Sequence, residues 1–239
     1  MDAKFYGAGL PKFDVANLPG HLIVLEGADG VGRSTHIELL QGWLEGHGFA
    51  VATTGLVRSL LTQRGIESAK EGHNFDRTTM SLFYATDLAD RIENEIIPAL
   101  RSGFVVLSDR YIYTMIARGA ARGLHHDWLA GVYGFGLVPE RTFFLRIDPD
   151  ELIRRTLRRG GELDYWESGR DIGLAPDLYS SFRAYQNLLL GEFDTMAKRY
   201  GFTVIEASRS VEQVQNDLRK ELADLLDPQL LAPPGDGTD

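Results

Sequence analysis

The sequence predicts an α/β protein whose five-stranded parallel sheet is flanked by helices. Short apolar runs such as Leu22-Ile23-Val24-Leu25 alternate along the chain with longer segments whose apolar residues recur at helical spacing. A nearly continuous apolar run is typical of a strand that is buried on both faces of a parallel sheet. The length of 239 residues suits one such domain with a large core.

The predicted strands and helices alternate along the chain. The strands are predicted at residues 21–26, 49–53, 104–108, 141–147 and 202–206. The helices are predicted at residues 33–45, 78–100, 114–121, 126–135, 149–159, 176–200 and 211–226. Before the second helix, residues 57–62 favour a helical turn, and the polar, glycine-containing residues 64–76 favour a loop.

Local signals set several of these boundaries. Gly46 and Gly48 end the first helix. Pro98 lies near the end of the long second helix and predicts a kink there. Asp148 and Pro149 begin a later helix as its N-cap and its first residue. Right-handed crossovers between these elements bring the carboxyl ends of the strands to one edge, where open α/β sheets bind ligands.

Composition restricts the classes of function. The absence of cysteine excludes disulfides, thiolate metal sites and cysteine nucleophiles. The formal net charge of −9 argues against broad nucleic-acid binding. No apolar run approaches membrane-spanning length, and the first residues lack the basic and apolar regions of a signal peptide. We therefore predict a cytoplasmic protein without nucleic-acid or membrane partners.

The chain divides into one domain with two flanking segments. Residues 1–20 are predicted to form an N-terminal arm, ordered in part against the core through its aromatic residues. Residues 21–226 form the domain, and the Pro-, Gly- and Asp-rich residues 227–239 are predicted to be a flexible tail. A polar, glycine-containing stretch at about residues 159–175 is typical of a mobile lid.

A glycine-rich loop between the first strand and the first helix predicts a phosphate-binding site. Gly27, Gly30 and Gly32 allow successive backbone N–H groups to curl around a phosphate. The helix start adds unpaired N–H donors and the positive end of its dipole. Ser34, followed by Thr35, stands where a hydroxyl would ligate Mg²⁺.

Arg33 stands where this loop pattern has a lysine. The positive charge is kept, but a planar guanidinium forks where an ammonium acts as a compact point charge. The sequence therefore predicts a phosphate site with altered geometry. A glycine-rich turn that carries an arginine by chance is the alternative, and the flanking strand and helix disfavour it.

Further charged residues are predicted at the same edge of the sheet. Asp109 and Arg110 follow the third strand, where a carboxylate can hold Mg²⁺ and an arginine can face an acceptor phosphate. A helix cap or an ion pair with Arg110 is the alternative for Asp109. The arginines that end a later helix are predicted to close over nucleotide phosphates, with a solvated basic helix face as the alternative. They are Arg154, Arg155, Arg158 and Arg159.

From about His21 to Leu226 the chain resembles thymidylate kinases, which are P-loop nucleoside monophosphate kinases. The segments that carry the resemblance are Glu26–Thr35, Leu82–Asp87, Asp109–Tyr111, Arg155–Glu167 and Ala207–Val211. The resemblance implies a three-layer P-loop fold with a short lid, ATP and Mg²⁺ as cofactors, and a nucleoside monophosphate as acceptor. It also implies a homodimer that is built on long helices.

The resemblance assigns roles to individual residues. Asp29 faces the acceptor sugar and phosphate, and Tyr84 stacks on the acceptor base. The predicted catalytic residues are Asp29, Arg33, Asp109, Arg110 and Arg158. The predicted nucleotide-binding residues are Gly27, Asp29, Gly30, Gly32, Arg33, Ser34 and Thr35. The predicted acceptor residues are Tyr84, Arg91, Arg110 and Arg118, and the predicted metal ligands are Ser34 and Asp109.

The chain departs from the family pattern mainly on the acceptor side. Besides Arg33, several positions differ from the residue that is typical of the family. Thr54-Gly55-Leu56 replaces Arg-Glu-Pro, Leu88 replaces an arginine, and Met115 replaces a polar residue. Arg118 replaces a tyrosine, and Tyr165 replaces the arginine of the lid pattern Asp-Arg-x-Glu. The arginine at the position of Leu88 grips the acceptor phosphate in the family. Arg91, one helical turn later, or Arg118 is predicted to return that charge.

Three functions are compatible with these residues. The first is ATP- and Mg²⁺-dependent phosphoryl transfer to a nucleoside monophosphate, with dTMP as the first acceptor to test. The second is a nucleotide-binding paralogue with little or no kinase activity, which the changes at Arg33 and Leu88 favour and the retained Asp29, Ser34 and Asp109 oppose. The third is a kinase for a different nucleoside monophosphate.

Overall fold

We describe the protein from a computed structural model, which covers residues 4–11, 13–72, 76–158 and 162–227. In these residues five strands form one sheet in the order β2-β3-β1-β4-β5, and every neighbouring pair is parallel. The strands are β1 (His21–Gly27), β2 (Val51–Gly55), β3 (Val105–Asp109), β4 (Arg141–Arg146) and β5 (Thr203–Glu206). The predicted five-stranded parallel sheet is confirmed.

Helices connect the strands and cover the sheet. They are α1 (Arg33–Gly46), α2 (Gln63–Gly72), α3 (Arg77–Arg91), α4 (Ile97–Arg101), α5 (Ile112–Ala121), α6 (His126–Val132), α7 (Pro149–Arg158), α8 (Leu178–Tyr200) and α9 (Val211–Leu226). A 3₁₀ turn at Arg170–Ile172 lies in the predicted lid. Across the described ranges, no helix is both long and apolar enough to cross a membrane.

Two cores lie on opposite faces of the sheet. Leu22 and Val24 of β1 face the core that α3, α4, α5 and α8 cover. Ile23 and Leu25 face the core that α1, α7 and α9 cover. This alternation follows from the two-residue period of a strand, and it explains why β1 is apolar at successive positions. The fold therefore has three layers, as the sequence predicted.

The strand order fixes where a ligand can bind. From β1 the chain continues to β2 on one side of the sheet, and from β3 it continues to β4 on the other side. Such a reversal opens a crevice between the carboxyl ends of the two strands. The glycine loop follows β1, and the Asp109-Arg110 turn follows β3. Both segments therefore border the same crevice.

The predicted loop at residues 64–76 is wrong over most of its length, because Gln63–Gly72 is helical. Ile66 and Ala69 are buried, and Ile66 packs in the same core as α3. Tertiary packing therefore stabilises a helix whose other residues are polar. The preceding segment also differs from the prediction, since the turn includes only residues 60–62 and Val57 has a φ of 56°.

The long helix that was predicted at residues 78–100 is interrupted. A π-helical turn at Ile92–Ile96 separates α3 from α4, and Pro98 lies in the first turn of α4. Proline has no N–H to donate to the carbonyl group four residues before it. The change in backbone hydrogen bonding thus begins where the proline predicted a kink.

The described part of the N-terminal segment packs on the domain. The N–H of Tyr6 donates to the carbonyl oxygen of Gly136 at 2.9 Å, and its ring lies edge-on to those of Tyr113 and Tyr200. The predicted tail beyond Asp227 lies outside the described residues, and so do residues 159–161 of the predicted lid.

Candidate active site at the carboxyl edge of the sheet

The glycine loop connects β1 to α1 with geometry that glycine permits. A Cβ at Gly27 would lie 2.7 Å from the carbonyl oxygen of Leu145 on the neighbouring strand. Gly32 is the N-cap of α1 with a φ of 108°, and no side chain caps this helix start. The first backbone N–H groups of α1 therefore have no side-chain acceptor at the cap and are available to an anion. Ser34 and Thr35 are exposed in this first turn.

Arg33 is tied into the loop from which it projects. Its Nη1 donates to the carbonyl oxygens of Gly27 and Ala28. Its Nε donates to Asp109 Oδ1 at 2.6 Å, and its Nη2 lies 3.5 Å from Asp29 Oδ1. The side chain is only 6 % exposed. The planar fork of a guanidinium makes these separate contacts at once, which a lysine ammonium in the same place cannot reproduce.

Asp29 is the point where the cations of the site converge. Arg110 and Arg118 both form ion pairs with its carboxylate, and for Arg118 the distance from Nη2 to Oδ2 is 2.5 Å. Together with the longer contact from Arg33, these pairs bring three predicted site residues to one carboxylate. The side chains of Arg110 and Arg118 are 20 % and 19 % exposed, so both are largely, but not completely, withdrawn from water.

Asp109 links β3 to the start of α1. Its Oδ2 accepts from the hydroxyl of Ser34 at 3.0 Å, while its other oxygen accepts from Arg33. A hydroxyl and a carboxylate in contact suit Mg²⁺, which is held by one or two protein ligands together with waters and substrate phosphates. The residues therefore fit the metal that the resemblance implies.

Arg110 occupies a strained turn. Its φ of 69° is left-handed, which is uncommon for a residue other than glycine. Burial, and then the neighbouring charge of Arg118, lower the pKa of Arg110 to about 9. The guanidinium is still protonated at neutral pH, so the site keeps a cation that is largely withdrawn from water.

A cavity of about 740 Å³ lies next to this cluster. Its lining includes Tyr84, Met115 and Arg118, together with Trp166 and Glu167 of the predicted lid. Its volume lies within the range of small-molecule sites. Because Arg118 lines the cavity and also pairs with Asp29, the cavity is continuous with the charged cluster.

The structure contradicts the prediction for Arg91. This side chain is fully buried, and its Nε donates to Asp87 at 3.0 Å. Its Nη1 donates to the hydroxyl of Thr54 at 3.2 Å. The charge is already paired inside the core, and Arg91 is not among the residues that line the cavity. Of the two arginines predicted to replace the charge lost at Leu88, the structure brings only Arg118 to the cavity.

The arginines at the end of α7 have different surroundings. Arg154 pairs with Glu151 at 2.9 Å and is 56 % exposed. Arg155 donates to the carbonyl oxygens of Ala207 and Ser208, which ties α7 to the loop before α9. Arg158 is exposed at the last residue of α7 and forms no ion pair or hydrogen bond with other described residues. The structure does not bring Arg158 to the Asp29 cluster.

Sequence reasoning missed Arg122, which holds residues of the predicted lid. Its Nε and Nη2 donate to the carboxylate of Asp171 at 2.7 and 3.1 Å, and Nη2 also donates to the carbonyl oxygen of Trp166. The indole of Trp166 in turn donates to the carbonyl oxygen of Lys70 in α2 at 3.2 Å. The spacing of four residues between Arg118 and Arg122 could have indicated that Arg122, the C-cap of α5, lies beside Arg118 on the same side of the helix.

A parallel sheet with a glycine loop and an aspartate turn at its switch point defines a P-loop nucleotide-binding protein. A family model described as thymidylate kinase matches residues 25–218. The chain therefore belongs to the thymidylate kinase family, whose members are nucleoside monophosphate kinases. The resemblance that the sequence motifs predicted is confirmed.

Curated relatives agree with the family model. A probable thymidylate kinase 2 of Saccharolobus solfataricus is 36% identical over 212 residues, which cover 88% of this chain and 99% of the relative. A thymidylate kinase of Parasynechococcus marenigrum is 32% identical over 227 residues, covering 87% of this chain and 100% of the relative. A probable thymidylate kinase of Pyrococcus abyssi is 34% identical over 155 residues, 61% of this chain and 74% of the relative.

Proposed function

We propose that the protein transfers the γ-phosphoryl group of ATP to a nucleoside monophosphate in a Mg²⁺-dependent reaction, with dTMP as the preferred acceptor. The observation that carries the proposal is the convergence of Arg33, Arg110 and Arg118 on Asp29, between the glycine loop and the cavity. Phosphoryl transfer demands mainly positioning and positive charge around the moving group. The names of the relatives support dTMP as the acceptor.

On the donor side, the loop from Gly27 to Gly32 and the uncapped start of α1 would hold the ATP phosphates through backbone N–H groups. Arg33 keeps the loop in shape and adds positive charge beside it. Ser34 and Asp109 would hold Mg²⁺, which neutralises charge on the phosphates when it is bound. We further propose that Arg158, from the end of α7, approaches the phosphates when the lid closes.

On the acceptor side, Tyr84 and Met115 would receive the base, because they give the cavity aromatic and apolar surface. Arg110 and Arg118 would grip the monophosphate, and Asp29 orients both guanidinium groups. The pairing with Asp29 limits the rotamers of these arginines before a substrate arrives. Such preorganisation reduces the cost of positioning in the transition state.

The test is ADP release by the purified protein with ATP and Mg²⁺ against a panel of nucleoside monophosphates. We expect turnover with dTMP, and we expect Asp109→Ala to abolish it. Binding of ATP is measured in parallel by calorimetry. ATP binding without turnover of any acceptor would contradict the proposal and favour a non-catalytic paralogue. Turnover with another monophosphate alone would keep the mechanism and change the acceptor.

A homodimer and a cytoplasmic location remain predictions from the resemblance and the composition. Sedimentation equilibrium of the full chain would test the first, since a dimer doubles the mass of 26.6 kDa. Fractionation of cells that express the protein would test the second.

A further inference from the structure

A buried carboxylate lies beneath the cluster and has no role in the mechanism above. Glu26 is completely buried in β1, immediately before the glycine loop. It accepts from the N–H of Tyr111 at 2.9 Å, and from the N–H and hydroxyl of Thr114 at 3.2 and 2.5 Å. All three donors belong to the segment that follows Arg110. Glu26 thus connects the strand of the glycine loop to the turn that carries Arg110.

The strained backbone of Arg110 is held on both sides. Its N–H donates to the carbonyl oxygen of Leu25 at 2.9 Å, and its carbonyl oxygen accepts from the hydroxyl of Ser108 at 2.6 Å. Glu26 then holds the N–H of the next residue, Tyr111. A left-handed backbone at such a residue is strained and persists only where the surroundings impose it. These contacts are the surroundings that impose it at Arg110.

A carboxylate at this position is not needed to form the sheet. Ile23 and Leu25 of the same strand are buried and apolar, and the pairing of β1 with β3 uses backbone groups. An apolar side chain at position 26 would avoid the desolvation of a buried acid. It would leave the N–H groups of Tyr111 and Thr114 without their acceptor, however. An acid at position 26 therefore supplies the acceptor that these N–H groups after Arg110 need.

We propose that Glu26 is a positioning residue for phosphoryl transfer, acting through the backbone of the turn to aim the guanidinium of Arg110 at Asp29 and the acceptor phosphate. The inference rests on the proposed function for the identity of the acceptor. The structural part of the proposal, that Glu26 imposes the backbone conformation of Arg110, does not depend on which reaction the protein catalyses.

The first experiment is a kinetic double-mutant cycle between Glu26→Leu and Arg110→Ala. Leucine is similar in size, but it offers no acceptor to the N–H groups of Tyr111 and Thr114, which both donate to Oε1 of Glu26. We expect Glu26→Leu to lower kcat by about tenfold to a hundredfold, because small displacements of positioned groups cost this much. The KM for ATP should change by less than about twofold, since Arg110 faces the acceptor. In the Arg110→Ala background the same substitution should have no further effect on kcat.

A second series removes the link from the other side. Thr114→Val deletes the hydroxyl that donates to Glu26, and Thr114→Ser retains it. We expect the valine variant to lose several-fold in kcat and the serine variant to recover it. Ser108→Ala, which releases the carbonyl group of Arg110, should resemble the valine variant. These substitutions test the proposal even where Glu26→Leu does not fold.

The third measurement separates the proposal from the proposed function. A crystal structure of the Glu26→Leu or Ser108→Ala variant shows the backbone of Arg110 whether or not any acceptor is phosphorylated. A shift of Arg110 out of the left-handed region, with loss of its contact to Asp29, supports the inference even if the wild-type protein turns over no acceptor. An unchanged turn would overturn it, and so would an undiminished loss of kcat in the Arg110→Ala background.

Discussion

Two arginine–carboxylate clusters lie near the carboxyl edge of the sheet, and they behave differently. The open cluster consists of Asp29, Arg33, Asp109, Arg110 and Arg118. The closed cluster consists of Thr54, Asp87 and Arg91. In the open cluster the side chains are 6 to 20 % exposed, whereas Asp87 and Arg91 are fully buried. Among their described members, the open cluster has more arginines than aspartates, and the closed cluster has one of each.

The difference shows what makes a charge available to a ligand. Asp87 accepts from Arg91, from the N–H groups of Val57 and Ser59, and from the hydroxyl of Thr62, so its charge holds the segment after β2 onto α3. Each contact in the closed cluster is internal to the protein. The open cluster lies beside a cavity that Arg118 lines, and its guanidinium groups can form charge-assisted hydrogen bonds with an incoming phosphate.

Replacing Arg91 tests the closed cluster and has the largest expected effect. Arg91→Ala leaves Asp87 buried without its partner, and breaking such a pair costs about 3–5 kcal/mol of unfolding free energy. Denaturation with urea, monitored by circular dichroism, measures the loss. At a temperature where the variant is folded, the KM for the acceptor should change by less than about twofold. A large rise in this KM with unchanged stability would place Arg91 in the acceptor site after all.

Glu26, which is buried beneath the open cluster, predicts that the free energy of unfolding depends on pH. Burial raises the pKa of Glu26 from 4.5 to about 7, although its hydrogen bonds with Thr114 and the charge of Arg33 oppose the shift. Between these two values the folded state binds more protons than the unfolded state. The contribution of Glu26 to stability is therefore full below pH 4.5 and is lost as the pH rises through about 7.

The measurement is urea denaturation of the wild-type protein and the Glu26→Gln variant between pH 4.5 and 8. Other titrating groups cancel in the difference between the two curves. We expect the stability of the wild type, relative to the variant, to fall by up to about 3 kcal/mol over this range. A difference that stays constant with pH would show that Glu26 titrates at its ordinary value.

The Arg33→Lys variant tests whether the open cluster requires a guanidinium group at this position. Lysine restores the usual loop residue, but it cannot donate at once to Gly27, Ala28 and Asp109 as Arg33 does. We expect kcat to fall by about a hundredfold, which corresponds to about 2.7 kcal/mol. Steady-state kinetics with ATP and dTMP measure the change. An increase in turnover would mean that Arg33 is a defect in a site designed for lysine.

The two clusters also show how far the sequence predicts a structure and a site. The glycine loop, the Asp109-Arg110 turn and the strand pattern depend on neighbouring residues, and the structure confirms the sheet that they indicate. The position of the Arg91 side chain depends on its contacts with Asp87 of α3 and with Thr54 of β2. The spacing of four residues between Asp87 and Arg91 allows a pair on one helix face, but the prediction considered only the spacing from Leu88 to Arg91. Whether the pair faces a cavity or a core is set by tertiary packing.

The lid and α2 show the same limit. The polar composition of residues 63–72 hides a helix because, of residues 63–71, whose burial is described, only Ile66 and Ala69 are buried. Arg122 resembles any surface arginine in the sequence, and its lid contacts require the fold to bring Asp171 within 2.7 Å. Residues that act through distant partners are therefore the ones that sequence patterns miss.

Arg118→Ala is the substitution with the smallest expected effect, and it tests the acceptor end of the open cluster. Arg118 lines the cavity and pairs with Asp29. Its removal should raise the KM for dTMP by about tenfold, or about 1.4 kcal/mol, because Arg110 still faces the phosphate. The KM for ATP should change by less than about twofold.

Arg183→Ala serves as the matched control for this measurement. Arg183 is 59 % exposed and pairs with Asp150 at 2.6 Å, away from the residues that line the cavity. Removal of an exposed pair of this kind costs little, so both KM values should stay near those of the wild type. An equal rise of both KM values in Arg118→Ala would show that Arg118 supports the whole site. A rise for dTMP alone would assign Arg118 to the acceptor and separate it from Arg91, whose charge is used inside the core.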